Sequence, residues 1–296
     1  MNKIKSTFTI HDLENLSGIK AHTIRIWEKR YNLLNPKRVN RNVRVYEIDD
    51  LKKLLNISLL YHNGEKISNI ASLSAKEIVE KSKEAGLSQL SNSFEINSLI
   101  IAMYSLDESQ FNKIHDSFLR KNSFSQLYLN VYTPVLQRIG LLWQVEAISP
   151  AHEHFISTLI YQKIVLHSAN LKEPTAENDL THILFLPDDE IHEIKLMFLN
   201  YYLKSKGQKT VYLGPSIPFE ELHKIRNQFT KIKWITSLGL EHTNEYRTSL
   251  IKSLENLIEH TNNQCFIIGE RSQYEHIKEL SDNIKIHNKL SEFIEV

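Results

Sequence analysis

The period of the apolar positions changes along the chain, and three blocks follow from it. From Phe8 to about Leu73 the apolar spacing is helical in short pieces, His11–Leu16 and His22–Tyr31, with a Ser17-Gly18 break between them. Lys37–Val45 then alternates Arg and Asn with apolar residues, as a hairpin does, and ends in Tyr46. Asp49-Asp50 marks a helix start, a helix is predicted over Leu51–Tyr61, and Ile67–Leu73 follows Gly64. From Ile96 to about His167 the periodicity is that of a four-helix unit, carried by Leu99, Ala102, Met103, Phe111, Phe118, Leu127, Val131, Val135 and Ile139. Pro134 lies inside the third pattern and either kinks it or marks its first turn.

Beyond a polar stretch, Lys172–Asp179, strands and helices alternate. Strands are predicted at His182–Leu186, Thr210–Leu213, Trp234–Leu238, Cys265–Ile268 and Ile284–His287. Helices are predicted at Ile191–Lys206, Phe219–Phe229, Glu245–His260 and Gln273–Leu280. That alternation specifies a parallel sheet covered by helices on both faces. The expected fold is therefore multidomain, α and α/β. A winged helix-turn-helix head occupies 1–75, a linker 76–95, a four-helix domain 96–171 and a Rossmann-like domain 172–296. The linker reading rests on the Lys/Glu/Ser-rich stretch Ser74–Ser93, which has few large apolar residues and admits a solvated helix.

Composition narrows the class. Hydrophobic residues make up 41% of the 296-residue chain and charged residues 24%, enough for real cores. No apolar run approaches the ~18–20 residues of a membrane span. Met1–Thr9 lacks the apolar core of a secretory signal. A cytoplasmic protein is expected. The single cysteine, Cys265, excludes an internal disulfide or a paired-cysteine metal site and is expected to be a buried strand residue. The net charge of +1 is unevenly spread: residues 1–75 hold 13 Lys/Arg against 7 Asp/Glu, and the remainder 23 against 28. A basic head on an acidic body points the head towards a polyanion.

The head has the parts to read a duplex. Two helices meet across a tight turn, and a basic hairpin follows. The second helix exposes Thr23, Arg25, Arg30 and Tyr31 while Ile24 and Trp27 face inward, so it can lie in a major groove. The hairpin sets Arg38, Arg41 and Arg44 beside the backbone as a wing. The runs IRIWEKRYNLLNPKR and RVYEIDDLKKL, at their spacing, resemble the MerR family of winged helix-turn-helix transcription factors. The resemblance implies a homodimer on a pseudo-palindromic operator, with Arg44 and Tyr46 on the DNA backbone.

Two motifs mark the body: Trp143 followed by nine residues and then Glu153-His154, and Glu190-x-His192 after a strand, with Tyr212-Leu213-Gly214-Pro215 downstream. A corrinoid needs an imidazole below its cobalt, held by a carboxylate on the other ring nitrogen. A strand-end loop of a doubly wound sheet is the right place for one. These residues resemble the light-sensing, cobalamin-binding branch of the MerR family. The resemblance implies adenosylcobalamin between a four-helix cap and the Rossmann-like domain. It gives Trp143, Glu153 and His154 to the upper pocket and His192 to cobalt as the lower ligand. It gives Ser237, or less well Thr236, and Gly269 to the nucleotide tail. It further implies a dimeric or tetrameric repressor in which light breaks the cobalt–carbon bond, the assembly changes and DNA is released.

The chain departs from that pattern at Lys195, where the motif has Gly, at Glu270 after Gly269, and at Gln144 after the Trp. The alternative is a MerR-type regulator whose body serves oligomerisation or a partner protein without corrinoid. The plain alternatives residue by residue are a loop histidine at 192, a core tryptophan at 143 and a solvated helix face at 153–154. His11, His62, His115 and His260 carry no pattern and read as surface residues. A corrinoid enzyme or methyl carrier would have no use for a basic winged head. No Gly-rich phosphate loop or nucleophile–base pair stands at motif spacing, so no enzyme is expected.

Overall fold

The computed structural model describes residues 7–39, 43–88, 93–144, 148–172, 179–239, 242–277 and 280–294. The chain divides into two compact units, Met1–Ile160 and Tyr161–Val296.

In the first unit, β1 (Thr7–Phe8) leads into α1 (Ile10–Ser17). Thr9 caps α1 in a reciprocal box with Asp12, and Gly18 ends it at φ +73°, a conformation that suits a residue without Cβ. Helix α2 (Ala21–Tyr31) follows, then β2 (Lys37–Val39) and β3 (Val43–Glu47). β3 lies between β1 and β2, antiparallel to both, which is the winged arrangement expected. Arg41 lies outside the described residues. Helix α3 (Ile48–His62) starts from a second capping box, Glu47 with Asp50. Leu13, Leu16, Ile24, Trp27, Leu51, Leu54 and Leu55 form the core that α1, α2 and α3 share.

After α4 (Ile67–Ala71), the stretch expected as a linker is helix α5 (Ala75–Ser88), packed on α3. Ile78 and Ser82 are buried, and the Ser82 hydroxyl donates to the carbonyls of Ile78 (2.7 Å) and Asn56 (3.2 Å). Two buried positions four apart suffice to dock a helix whose other faces are charged. A compositional reading therefore sees a linker there.

The four-helix block follows: α6 (Ser93–Ser105), α7 (Glu108–Leu119), a third helix from α8 (Phe124–Leu127) into α9 (Thr133–Gln144), and α10 (Pro150–Ala169). Between α8 and α9 the turn Tyr128–Tyr132 widens to π geometry, and the Thr133 N–H donates to the Tyr128 carbonyl five residues back. Pro134 has no N–H to give and its ring crowds the preceding turn; the wider turn absorbs both. This turn places the buried Tyr132 hydroxyl 2.6 Å from Nδ1 of His115. His115 is thus a core residue stacked on Tyr132 and Phe111, not the surface histidine its lack of pattern suggested.

The second unit is doubly wound. Its five parallel strands are β4 (Leu180–Pro187), β5 (Thr210–Ile217), β6 (Lys231–Ser237), β7 (Gln264–Ile268) and β8 (Ile284–His287), in the order β5-β4-β6-β7-β8. Helix α11 (Ile194–Ser205) covers one face; α12 (Phe219–Ile225) and α13 (Asn244–Ile258) cover the other. Cys265 is buried in β7, as expected. Of the helix expected at Gln273–Leu280, residues 278–279 lie outside the described residues, and the described part holds a 3-10 turn, Arg271–Tyr274, whose Tyr274 is buried beside Arg247. A short α14 (Leu290–Phe293), absent from the sequence reading, ends the described chain.

Candidate functional site

The face of the head expected to read a duplex is formed by α2 and the wing. Ile24 and Trp27 are buried and the Glu28 side chain turns in towards the wing, so the outward positions of α2 are His22, Arg25, Ile26, Lys29 and Arg30. Arg25 and Arg30 are exposed, and Thr23 is partly so. The Arg30 guanidinium lies over the Tyr31 ring at 5.4 Å. Lys20, at the start of α2, makes no side-chain cap and the first turn holds no acid. The Glu14 carboxylate of α1 stands there instead, accepting from the Ala21 N–H and pairing with Lys20 at 3.2 Å. Ile26, 53% exposed, shares this face and was missed. It stands three residues after Thr23 and four before Arg30, so helical phase alone could have found it. An apolar side chain there suits a thymine methyl group.

In the wing, Arg38 of β2 stands directly opposite Arg44 of β3. Like charges opposed across a ribbon repel, and a polyanion relieves that repulsion. Arg44 is also tied down, its Nε 3.4 Å from Glu28 Oε2 on α2. Tyr46 corrects the sequence reading: it is fully buried and its hydroxyl donates to Glu28. Burial and the neighbouring Glu28 carboxylate push that hydroxyl well above the usual tyrosine range. Tyr46 braces the wing against α2 from beneath and presents nothing to DNA.

Of the residues assigned to the upper pocket, Trp143 ends α9 with 48% of its surface exposed, so it is not core. Glu153 and His154 lie in the first turns of α10. Glu153 Oε2 is 3.1 Å from His154 Nδ1, and its Oε1 accepts from Ser157 (2.6 Å).

The second unit builds its site on the loop after β4. Connections leave β4 towards β5 on one side and β6 on the other, and the crevice at the strand ends between β4 and β6 is where such sheets take ligands. Glu190 is 1% exposed there. Its Oε1 accepts from the backbone N–H of His192 (2.8 Å) and lies 2.7 Å from His192 Nδ1. Its Oε2 accepts from the N–H of Gly239, just past β6 (2.6 Å), and meets His242 Nε2 at 3.1 Å. Burial by itself would raise this carboxyl. The bonds from His192 and Gly239 outweigh it and hold the group at about 2. The His192 side chain is 66% exposed, and its Nδ1 proton goes to the carboxylate. Nε2 then carries the lone pair.

The backbone here is tightly turned. Asp189 (φ +63°) and Ser216 (φ +54°) are left-handed without being glycine. The Asp189 N–H donates to the Ser216 hydroxyl (3.3 Å) and the Ser216 N–H to the Glu190 carbonyl (3.2 Å). Gly214, at φ +94°, lets β5 bulge beside β4. Tyr212 donates to Glu193 (2.7 Å), and stacked His242 and Tyr246 close the far side. His242 and Gly239 were missed by the sequence reading; neither sits in a motif, and only the fold brings them to Glu190.

Ser237 is buried and donates to the Ile268 carbonyl (3.0 Å), and Gly269 donates to the His287 carbonyl (3.0 Å). Lys195, in the first turn of α11, is exposed, with both Glu190 and Glu270 in electrostatic reach.

Residues 8–77 match the family model of MerR HTH family regulatory proteins, and residues 95–166 match that of the B12 binding domain. This chain is a MerR-type DNA-binding regulator with a B12-binding domain. The regulator is 25% identical over 260 residues to the HTH-type transcriptional repressor CarH of Myxococcus xanthus, covering 84% of this chain and 85% of that protein. To the repressor CarA of the same organism it is 25% identical over 215 residues, covering 72% and 69%. Its curated relatives are regulators rather than enzymes. In fold it resembles the Methanosarcina barkeri monomethylamine corrinoid protein: TM-score 0.56, 12% identity, 68% of this chain and 96% of that one. No helix among the described residues is long and apolar enough to cross a membrane.

Proposed function

We propose that this protein is a cytoplasmic transcriptional repressor whose hold on DNA is governed by adenosylcobalamin and by light. The observation that carries the corrinoid part is the buried Glu190 carboxylate, which takes the Nδ1 proton of an exposed His192 at the mouth of the sheet. That donor set suits cobalt, because the carboxylate fixes the tautomer and raises the basicity of Nε2. When bound, the cofactor supplies a light-labile cobalt–carbon bond. His192 would be the lower ligand, and Trp143, Glu153 and His154 the lining of the upper pocket. Ser237 and Gly269 would flank the nucleotide tail, with Lys195 screening Glu270 from its phosphate. The head would act as a homodimer or within a tetramer, each copy reading one half-site with Thr23, Arg25, Ile26 and Arg30.

Two experiments test this reading. Protein mixed with adenosylcobalamin in the dark is expected to carry the red chromophore through gel filtration. A colourless protein peak would instead assign the body to oligomerisation or partner binding. Replacing Arg38 by alanine is expected to weaken binding to every duplex alike. It should also reduce the slope of log K against log salt by about 0.9, one phosphate contact. A loss confined to one base pair of the operator would show that Arg38 reads sequence instead.

A further inference from the structure

Within the first unit, every residue of α6 from Ser98 to Tyr104 is buried. A surface helix hides one stripe; a helix hidden all round has a partner on each face. Here the partners are α7 and α9 of the helical block on one side and α3 and α5 on the other. Near its C-terminal end α6 offers one ring to both sides. The Tyr104 ring meets Phe8 of β1 edge-on at 4.9 Å between centroids, and the His152 ring of α10 at 5.2 Å. Phe8 and His152 are themselves buried. Asp12 of α1 and Arg138 of α9 lie in electrostatic reach of the Tyr104 hydroxyl.

The contacts continue from Phe8 into the head. Phe8 stands opposite Tyr46 in the β1–β3 pair. The Tyr46 hydroxyl donates to Glu28 of α2, and Glu28 holds Arg44 of the wing at 3.4 Å. β1 is two residues long, too short for ladder bonds to fix it, so the packing of Phe8 decides where it lies. From His152 to Tyr46 each link is a buried ring, and a close-packed interior passes a displacement on rather than absorbing it. We propose that Tyr104, although outside the head, is a positioning residue for DNA binding. Its ring fixes Phe8 and, through Tyr46 and Glu28, the setting of α2 against Arg44. At the other end the run reaches His152, one residue before Glu153 and His154. On the reading that those two line the cofactor pocket, a displacement of the first turn of α10 reaches α2 by this route.

The test is a double-mutant cycle on the full-length protein without cofactor, read as affinity for a mixed-sequence DNA duplex at low salt, below the Tm of every variant. Tyr104→Leu is expected to weaken binding about three- to tenfold. Tyr104→Phe keeps the ring and is expected to bind within about twofold of the wild type. Tyr46→Phe removes only the bond to Glu28. Combined with Tyr104→Leu it is expected to cost no more than about twofold beyond the weaker single variant, because both changes release the same carboxylate. A Tyr104 that only supports the fold would lower Tm and leave the affinity of the folded protein unchanged. That result, or losses that multiply in the double variant, overturns the proposal. Should Tyr104→Leu fail to fold, Phe8→Leu removes the other ring of the same contact and takes its place in the cycle. Loaded with adenosylcobalamin, Tyr104→Leu is expected to retain the chromophore like the wild type but to lose the change in DNA affinity on illumination. A variant that keeps that change overturns the α10 end of the route. A wild type that shows no such change refutes the cofactor reading instead, and the cofactor-free cycle still decides the role of Tyr104.

Discussion

Replacing Glu190 by glutamine is expected to lower cobalamin retention about 10–100-fold, the usual cost of losing the group that orients a metal-binding histidine. The shape changes little, but the chemistry inverts on one side. The two oxygens of Glu190 face four donor positions: the N–H and ring of His192, the N–H of Gly239 and the ring of His242. A glutamine must turn an NH2 group towards one pair of them, leaving donors facing donors at a buried position. His192 then loses the partner that fixes its tautomer. The measurement is cobalt absorbance per protein after gel filtration, beside His192→Ala, which removes the proposed lower ligand. Equal retention in the glutamine variant and the wild type would show that the carboxylate does not orient the ring.

The same residue predicts a pH dependence. Its carboxyl is held at about 2 in the folded chain against an ordinary value of 4.5. A depressed folded value means that the stability it contributes is fully present above the unfolded value and is lost as pH falls through the folded one. The advantage of wild type over Glu190→Gln, up to about 3 kcal/mol, should therefore hold above pH ~4.5 and vanish towards pH ~2. Chemical unfolding of both proteins across that window would show it, and a constant gap would contradict it.

Replacing Trp27 by alanine is expected to cost about 3–5 kcal/mol and to remove DNA binding with it. The indole is buried under α2 and meets the Tyr61 ring of α3 edge-on at 5.0 Å between centroids. Without it the recognition helix loses the anchor that fixes which face turns outward. Arg25, Ile26 and Arg30 then lose their common orientation. A loss of that size is a large share of the ~5–15 kcal/mol that holds a domain folded. Arg25→Ala is the contrast: it should lose DNA affinity at unchanged Tm, because its side chain is exposed. A Trp27→Ala protein that melts with the wild type would remove Trp27 from the core.

Much of this was legible one residue at a time. Thr9, Asp12 and Gly18 bound α1 through contacts three or four residues long, and such contacts are written in local order. The alternation of strands and helices after residue 180 announced a parallel sheet for the same reason. His192 and Glu190, two residues apart, could be paired from the motif. Position 134 foretold an irregular third helix, though not that the chain would answer with a wide turn rather than a kink.

Other features depended on residues far apart in the chain. Tyr46 reads like a neighbour of Arg44 on a basic wing, but strand pairing turns it inward onto Glu28, eighteen residues back. His115 has no pattern around it and is buried because the π turn brings Tyr132 to its ring. Tyr274, in the 3-10 turn Arg271–Tyr274, is buried beside Arg247, twenty-seven residues back. The strand order β5-β4-β6 brings Gly239 and His242 to Glu190 across 49 and 52 positions. By itself, then, the sequence determined the kinds of element, the basic head and the pairing of Glu190 with His192, since short-range sterics and periodicity encode those. The tertiary structure alone decided which carboxylate oxygens are occupied, which tyrosine is hidden and which histidine is buried. Those depend on the distances that remain once water has been excluded, and no local pattern records them.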